Sequence, residues 1–280
     1  MPLTVKAAPG ISTAGYITET WNDNLSHSSK TAEERAAAVI SASGSFSQRF
    51  SLTRDTALIS GGAVGVETCP RYDGLDTLSA TVHLEIRQKF GLGALAPVLS
   101  LKAEAGAATF RESARNGWSA TSTLGLAKRF NDAFRVVVNA EWSHQEARQT
   151  VFDRENRGLS AELNWDVTDH WQLGFGACRQ WGQQEANASW STWSFAESGG
   201  AGPALADYYE HIPYAISNTF GPGWVAYRID GHANLWWLSL CPALGPNTSL
   251  PLRYETAEIH GGAGTRYLSH QLSLSLVHRY

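Results

Sequence analysis

The chain has 280 residues, enough for one large β unit or two ordinary domains, and a net charge of −4 that gives no electrostatic basis for binding nucleic acid. Hydrophobic residues make up 43% of it but charged residues only 17%, below the usual quarter for a soluble domain, and eleven Trp accompany a single Met. No segment approaches the roughly 18–20 apolar residues that a membrane-spanning helix needs; the richest run, Ala233 to Leu244, is broken by Asn234, Ser239 and Pro242.

Taken in order, the chain repeats one pattern. Met1 to Pro9 reads as a tail without the apolar core of a signal peptide, so an export signal is expected upstream or already removed. Gly10 to Asn22 reads as a first strand and Asp23 to Arg35 as a polar loop, with Ala32 to Ala38 the best candidate for a short loop helix. Val39 to Phe50 alternates Ile40, Ala42, Gly44 and Phe46 with serines, and Ala57 to Thr68 follows a tight connection. In the fourth strand Leu78, Ala80, Val82, Leu84 and Ile86 point one way, with Ser79, Thr81, His83, Glu85 and Arg87 opposite; strict alternation of this kind marks a strand with two different faces. Val98–Phe110, Gly117–Phe130 and Phe134 to Ser143 continue it, with Asn131-Asp132 a hairpin turn and Val137 a misfit among the polar positions. His144 to Arg157 reads mostly as loop. Leu159 to Thr168 and Trp171 to Ala177 are the next pair, and Ala186 to Gly223 is a long irregular stretch rich in Gly, Ser and aromatics. Val225 to Leu244, a strand starting near Leu250, a Gly-rich loop at His260 to Thr265 and a closing strand, Ser269 to Tyr280, complete about twelve.

The connections alternate. Short turns follow even-numbered strands and longer polar loops follow odd-numbered ones. That rhythm, with a Trp- and Gly-rich composition, implies an all-β fold: a closed antiparallel transmembrane β-barrel over residues 10–280, both termini periplasmic and 186–223 an outer loop. Apolar alternates would face lipid. The lumen set is then His83, Glu85, Arg87, Lys102, Glu104, Arg135, Glu141, Glu162, Asp166, Arg228, Asp230 and His232. His83 and His232 are read as part of a polar wall, with a ligand or gate role as the alternative. Trp21, Trp118, Trp142, Trp165 and Trp171, near strand ends, are expected in the interfacial girdles. Trp190 and Trp193 in the long loop are read as part of an inward-folded constriction, or as a carbohydrate-stacking surface.

Chemistry-bearing motifs are sparse. Cys69, Cys178 and Cys241 are odd in number and irregularly spaced, which suggests neither a metal site nor a disulfide framework, although one pair could bridge. No phosphate-binding glycine loop is present, and no cofactor is expected. Asn24-Leu25-Ser26-His27-Ser28-Ser29 is the one enzyme-like cluster, read as a solvated loop or as a Ser–His pair of a barrel lipid hydrolase.

The alternating last strand with its terminal Tyr280 resembles the closing strand of bacterial outer-membrane β-barrels. The resemblance implies an outer-membrane location, contact with outer-membrane lipid and lipopolysaccharide, and recognition of that strand by the barrel-assembly machinery. Trp21-Asn22-Asp23-Asn24-Leu25, Tyr72-Asp73-Gly74-Leu75-Asp76-Thr77-Leu78, Arg115-Asn116-Gly117-Trp118 and Phe152-Asp153-Arg154 are similar to patterns in a group of uncharacterised Gram-negative barrels. The Asn-containing first strand is also similar to the barrel half of surface lipoprotein assembly modifiers, whose helical repeats are not seen in this sequence. The expected function is a porin-like channel for small polar solutes. The alternative is a plugged scaffold barrel that anchors a partner protein within an outer-membrane assembly.

Overall fold

A computed structural model describes residues 10–200 and 202–280; the tail Met1–Pro9 lies outside the described residues. The strands are β1 (Ile11–Asn22), β2 (Ala37–Ser51), β3 (Thr56–Thr68), β4 (Thr77–Lys89), β5 (Val98–Phe110), β6 (Gly117–Arg129) and β7 (Phe134–Ala147). They continue with β8 (Arg154–Thr168), β9 (Trp171–Ser189), β10 (Tyr214–Ser217), β11 (Trp224–Pro242), β12 (Thr248–Ser249), β13 (Leu252–Gly261) and β14 (Arg266–Arg279). All pairing is antiparallel, and along the ring each strand lies beside the next ring strand in sequence, β9 beside β11 and β11 beside β13. Pairing of β14 with β1, from Ala14↔Arg279 to Asn22↔Gln271, closes the ring. Twelve strands form it; β10 and β12 are short additions paired to β11 and β14.

Directly opposed residues of neighbouring strands share a face. One line around the wall runs Ser47, Gly61, His83, Glu104, Thr121, Ser143 and Asn156, all small or polar. The adjacent face runs Leu58, Ile86, Leu101, Leu124, Ala140 and Leu159. The apolar face is the exposed one: Val64 is 62% accessible and Val82 64%. A belt of exposed isoleucine, leucine, valine and aromatic side chains around the wall far exceeds the apolar patches that soluble monomers tolerate, so this surface belongs in lipid. Trp21, Trp118, Trp142, Trp165 and Trp171 are all exposed at the two margins of the belt, as expected of girdle residues. From Phe134 to Trp142 is eight residue steps of β7, about 27 Å along the strand at about 3.4 Å per residue and about 20 Å along the normal at a tilt near 40°.

One rim carries the short turns, and the other carries the longer loops. Four of the long-rim loops, and the Gly262–Gly264 connection, hold a single 3-10 turn: Thr31–Glu33, Asp73–Leu75, Ser113–Arg115 and Thr150–Phe152. The expected helix at Ala32 to Ala38 is only that first turn, because Ala37 already pairs in β2. In three loops the residue after the turn clamps the end of the preceding strand. Asp76 accepts from the Cys69 N–H (2.9 Å), Asn116 from Phe110 (2.7 Å) and Asp153 from Ala147 (2.7 Å). These residues belong to the loop motifs singled out in the sequence, so each motif is in part a loop-closing device.

The stretch Ala186 to Gly223 is not irregular. β9 runs on to Ser189, α1 (Trp190–Glu197) and α2 (Pro203–His211) follow, and β10 leads into β11. Ser189 caps α1 by accepting from the Thr192 N–H, and Pro203 occupies the first turn of α2, where a missing N–H costs nothing. Helices of eight and nine residues span about two turns each, too short for a helical period to show in the sequence.

Candidate functional site: a polar lumen under a folded lid

β9 and β11 have 19 residues each, several more than the ring requires. β8 leaves β9 at Asn156↔Gly182, and β13 leaves β11 at Gly231↔Gly261. Gly182 pairs with Gly231, so three glycines lie abreast at the rim. A side chain at Gly182, where φ is +137°, would collide with the Glu155 carbonyl, and one at Gly231 with that of His260. Above this row the β9–β11 hairpin is released from both neighbours and leans over the opening.

Its contacts locate it. Around the hairpin and its helices, Asn187 Nδ2 donates to the Ser26 carbonyl (3.0 Å), and the Ser189 and Thr192 hydroxyls donate to Glu33, both in the β1–β2 loop. Tyr72 of the β3–β4 loop packs edge-on to Phe220 (5.1 Å). The Thr219 hydroxyl donates to Glu112 of the β5–β6 loop, and Arg228 donates to the carbonyls of Thr150 (2.7 Å) and Asp153 (3.1 Å) in the β7–β8 loop. The Tyr267 hydroxyl of β14 donates to the Glu185 carbonyl (3.0 Å). A segment that meets loops from all around a ring lies across its mouth, so residues 184–229 form a lid. The three buried apolar clusters lie where the lid meets the loops and strand ends of the rim, centred on Trp193 with Tyr209 and Tyr227, on Phe220 and Trp224 against Tyr72, and on Val151 and Phe152 against Ala226.

The lid is latched by buried charge. Arg115 grips Glu185 through two bonds of 2.7 and 3.0 Å, holds Glu112 at 2.9 Å, and lies 4.1 Å over the Phe152 ring. Burial alone pushes the Glu185 carboxyl up, but the Arg115 charge and its hydrogen bonds, helped by Arg154 and His27, hold it well below the ordinary range. His27 stacks on Tyr267 (5.3 Å) beside this pair, and burial lowers its pKa.

Below the lid, the expected lumen residues separate into two groups. His83, Glu85, Arg87, Lys102, Glu104, Arg135, Glu141, Glu162 and Asp166 share the register of the serine- and threonine-lined face. Ion pairs there join Arg87 to Glu85 and Lys102 to Glu104, both at 2.7 Å. Arg228, Asp230 and His232 do not join them. On β11 they share the face of Trp236 and Leu238, which is the outer one, and His232 stacks on His260 of β13 (5.0 Å). Above the apolar belt an outward side chain meets water, so polarity there no longer reports the lumen; Arg228 is a lid clamp. Trp237 is the largest inward-facing residue of this strand, lying over Gly176 with the Arg253 guanidinium 4.5 Å from its ring. Val137, the misfit, also faces inward and lines a cavity of about 390 Å³ at the short-turn end.

The Ser–His cluster is part of the loop scaffold. Asn24 Oδ1 accepts from the Ser28 N–H and the Ser26 hydroxyl, and among the described residues no hydrogen bond joins His27 to a serine hydroxyl. Trp193 is buried in the lid core, so it offers no open stacking face; Trp190 is half exposed. The cysteines are free, and no group of metal-ligating residues occurs among the described residues.

No family model and no curated protein matches the chain. Solved structures do. An outer membrane channel from Pseudomonas putida F1 matches with a TM-score of 0.58 and 12% identity over 100% of this chain and 99% of that one. The fold is that of a bacterial outer-membrane β-barrel. The NanC porin (TM-score 0.47, 7% identity, 94% and 98% covered) and outer membrane phospholipase A from Escherichia coli (0.46, 9%, 99% and 94%) are more distant.

Proposed function

We propose that this barrel is an outer-membrane channel for small polar solutes, with the termini and short turns in the periplasm and the lid over the outer mouth. The observation that carries the reading is the distribution of apolar packing. The buried clusters lie between the lid and the rim, while the wall below presents serine, threonine, glycine and charged residues inward instead of a packed core. On this reading β14, ending in Tyr280, is also the strand offered to the assembly machinery, and the apolar belt meets lipid and lipopolysaccharide. The test is swelling of proteoliposomes in a small neutral sugar. Barrels with residues 190–223 replaced by a short linker should swell faster than protein-free vesicles, and equal rates would refute a conduit. A second reading, a closed scaffold barrel that anchors a partner, is favoured by the buried Arg115–Glu185 latch; it requires that no variant retaining the lid opens.

A further inference from the structure

The cavity at the short-turn end is lined by Arg49, Arg54, Arg87, Lys89, Arg129 and Arg135, against the carboxylates Asp55 and Glu85. The cations come from strand ends beside three successive short turns, at one depth of the lumen. Two are neutralised: Arg87 by Glu85 (2.7 Å) and Arg129 by Asp166 (3.5 Å). Arg49, Arg54, Lys89 and Arg135 have no carboxylate within 4.0 Å among the described residues. Three unpaired carboxylates are near: Asp55 in the lining, Glu162 opposite Val137, and Asp132 in the turn between Arg129 and Arg135. Four free cations against three free carboxylates leave a surplus of one positive charge, and within the lining itself the only free carboxylate facing the four is Asp55. Glu141 is six residues along β7 from Arg135, about 20 Å at about 3.4 Å per residue, and does not offset it. Ser100 and Asn139 add neutral hydrogen-bonding groups to the same lining.

We propose that this vestibule binds small anions, solutes bearing carboxylate or phosphate groups, and so sets the class of solute the barrel accepts. The solute class rests on the channel reading above; the binding site does not. Free guanidinium groups converging on one concave wall repel each other when it is empty, and a divalent anion relieves that repulsion with paired hydrogen bonds. Arg49, Arg87, Lys89, Arg129 and Arg135 are at inward-facing strand positions, so a solute and not the lipid headgroups of the surrounding leaflet is their partner.

The test is calorimetric titration of the purified, detergent-solubilised protein at low salt with succinate, with inorganic phosphate and with glycerol. At least one of the two anions should bind saturably, with glycerol silent. Arg49→Gln/Arg135→Gln should weaken binding at least tenfold while the heat-dependent gel shift shows an intact barrel; Lys128→Gln, outside the lining, should bind like the parent. Binding of succinate alone or of phosphate alone identifies the group recognised. No saturable binding of either anion, or undiminished binding by the double variant, overturns the proposal. A lid-deleted barrel that conducts without anion preference and without binding also overturns it, leaving the channel reading intact. Binding without any conductance keeps the anion site and removes the channel.

Discussion

Replacing Arg115 with alanine is expected to free the lid. The substitution removes two hydrogen bonds to Glu185, one to Glu112 and the stacking on Phe152, and it strands two carboxylates at a buried interface. Arg115 and Glu185 are each under 10% exposed, so solvent does little to screen the loss. Removing one partner of a buried ion pair typically costs about 3–5 kcal/mol, which raises the open fraction of the lid by roughly two to three and a half powers of ten. The assay is open probability in planar bilayers, read beside the rate of protease cleavage in the connection between α1 and α2. The heat-dependent gel shift should persist, because the ring itself is untouched. Arg115→Met/Glu185→Leu should recover part of the closure, since no charge is left unpaired at position 185 while Glu112 keeps the Thr219 hydroxyl as its partner. Unchanged open probability and protease resistance in Arg115→Ala would refute the latch.

Acid should loosen the same lid. His27 has a depressed pKa, so its contribution is complete above its ordinary value of 6.5 and is lost as pH falls through the lower folded value; Glu185 adds a second loss below its ordinary 4.5. Protease sensitivity of the lid should therefore rise below about pH 6.5, and His27→Gln should remove the earlier phase. Val82→Arg, on the exposed face of β4, should destabilise the bilayer-inserted barrel by about 2–4 kcal/mol in urea unfolding, whereas Thr81→Arg, on the inner face, should cost far less. Equal costs would contradict the assignment of faces. Trp237→Ala should raise the unitary conductance of the lid-deleted barrel, because the ring projects into the lumen over Gly176; no change would place the constriction elsewhere.

The ring was legible because a barrel wall imposes period two on every strand it contains. Leu78 to Arg87 shows it without interruption, and β4 spans Thr77–Lys89. Loop rhythm is equally direct, since a closed antiparallel ring gathers alternate connections at opposite rims. The lid left a weaker trace: α1 and α2 are two turns each, and the partners of Arg115 and Glu185 come from segments 70 residues apart. Arg228, Asp230 and His232 look like lumen residues in the sequence because alternation fixes which residues share a face but not where a strand leaves the membrane. The vestibule had a readable signal, a basic residue beside each of three short turns, visible only when strands are aligned on their turns and not read one at a time.

The most direct test of a polar conduit closed by a folded lid is single-channel recording of the intact and lid-deleted proteins, each shown by gel shift to be folded. The intact barrel should be closed for most of the record, and the lid-deleted barrel should give discrete, sustained conductance. A folded, lid-deleted barrel that stays silent would contradict the conduit and leave a sealed scaffold in its place.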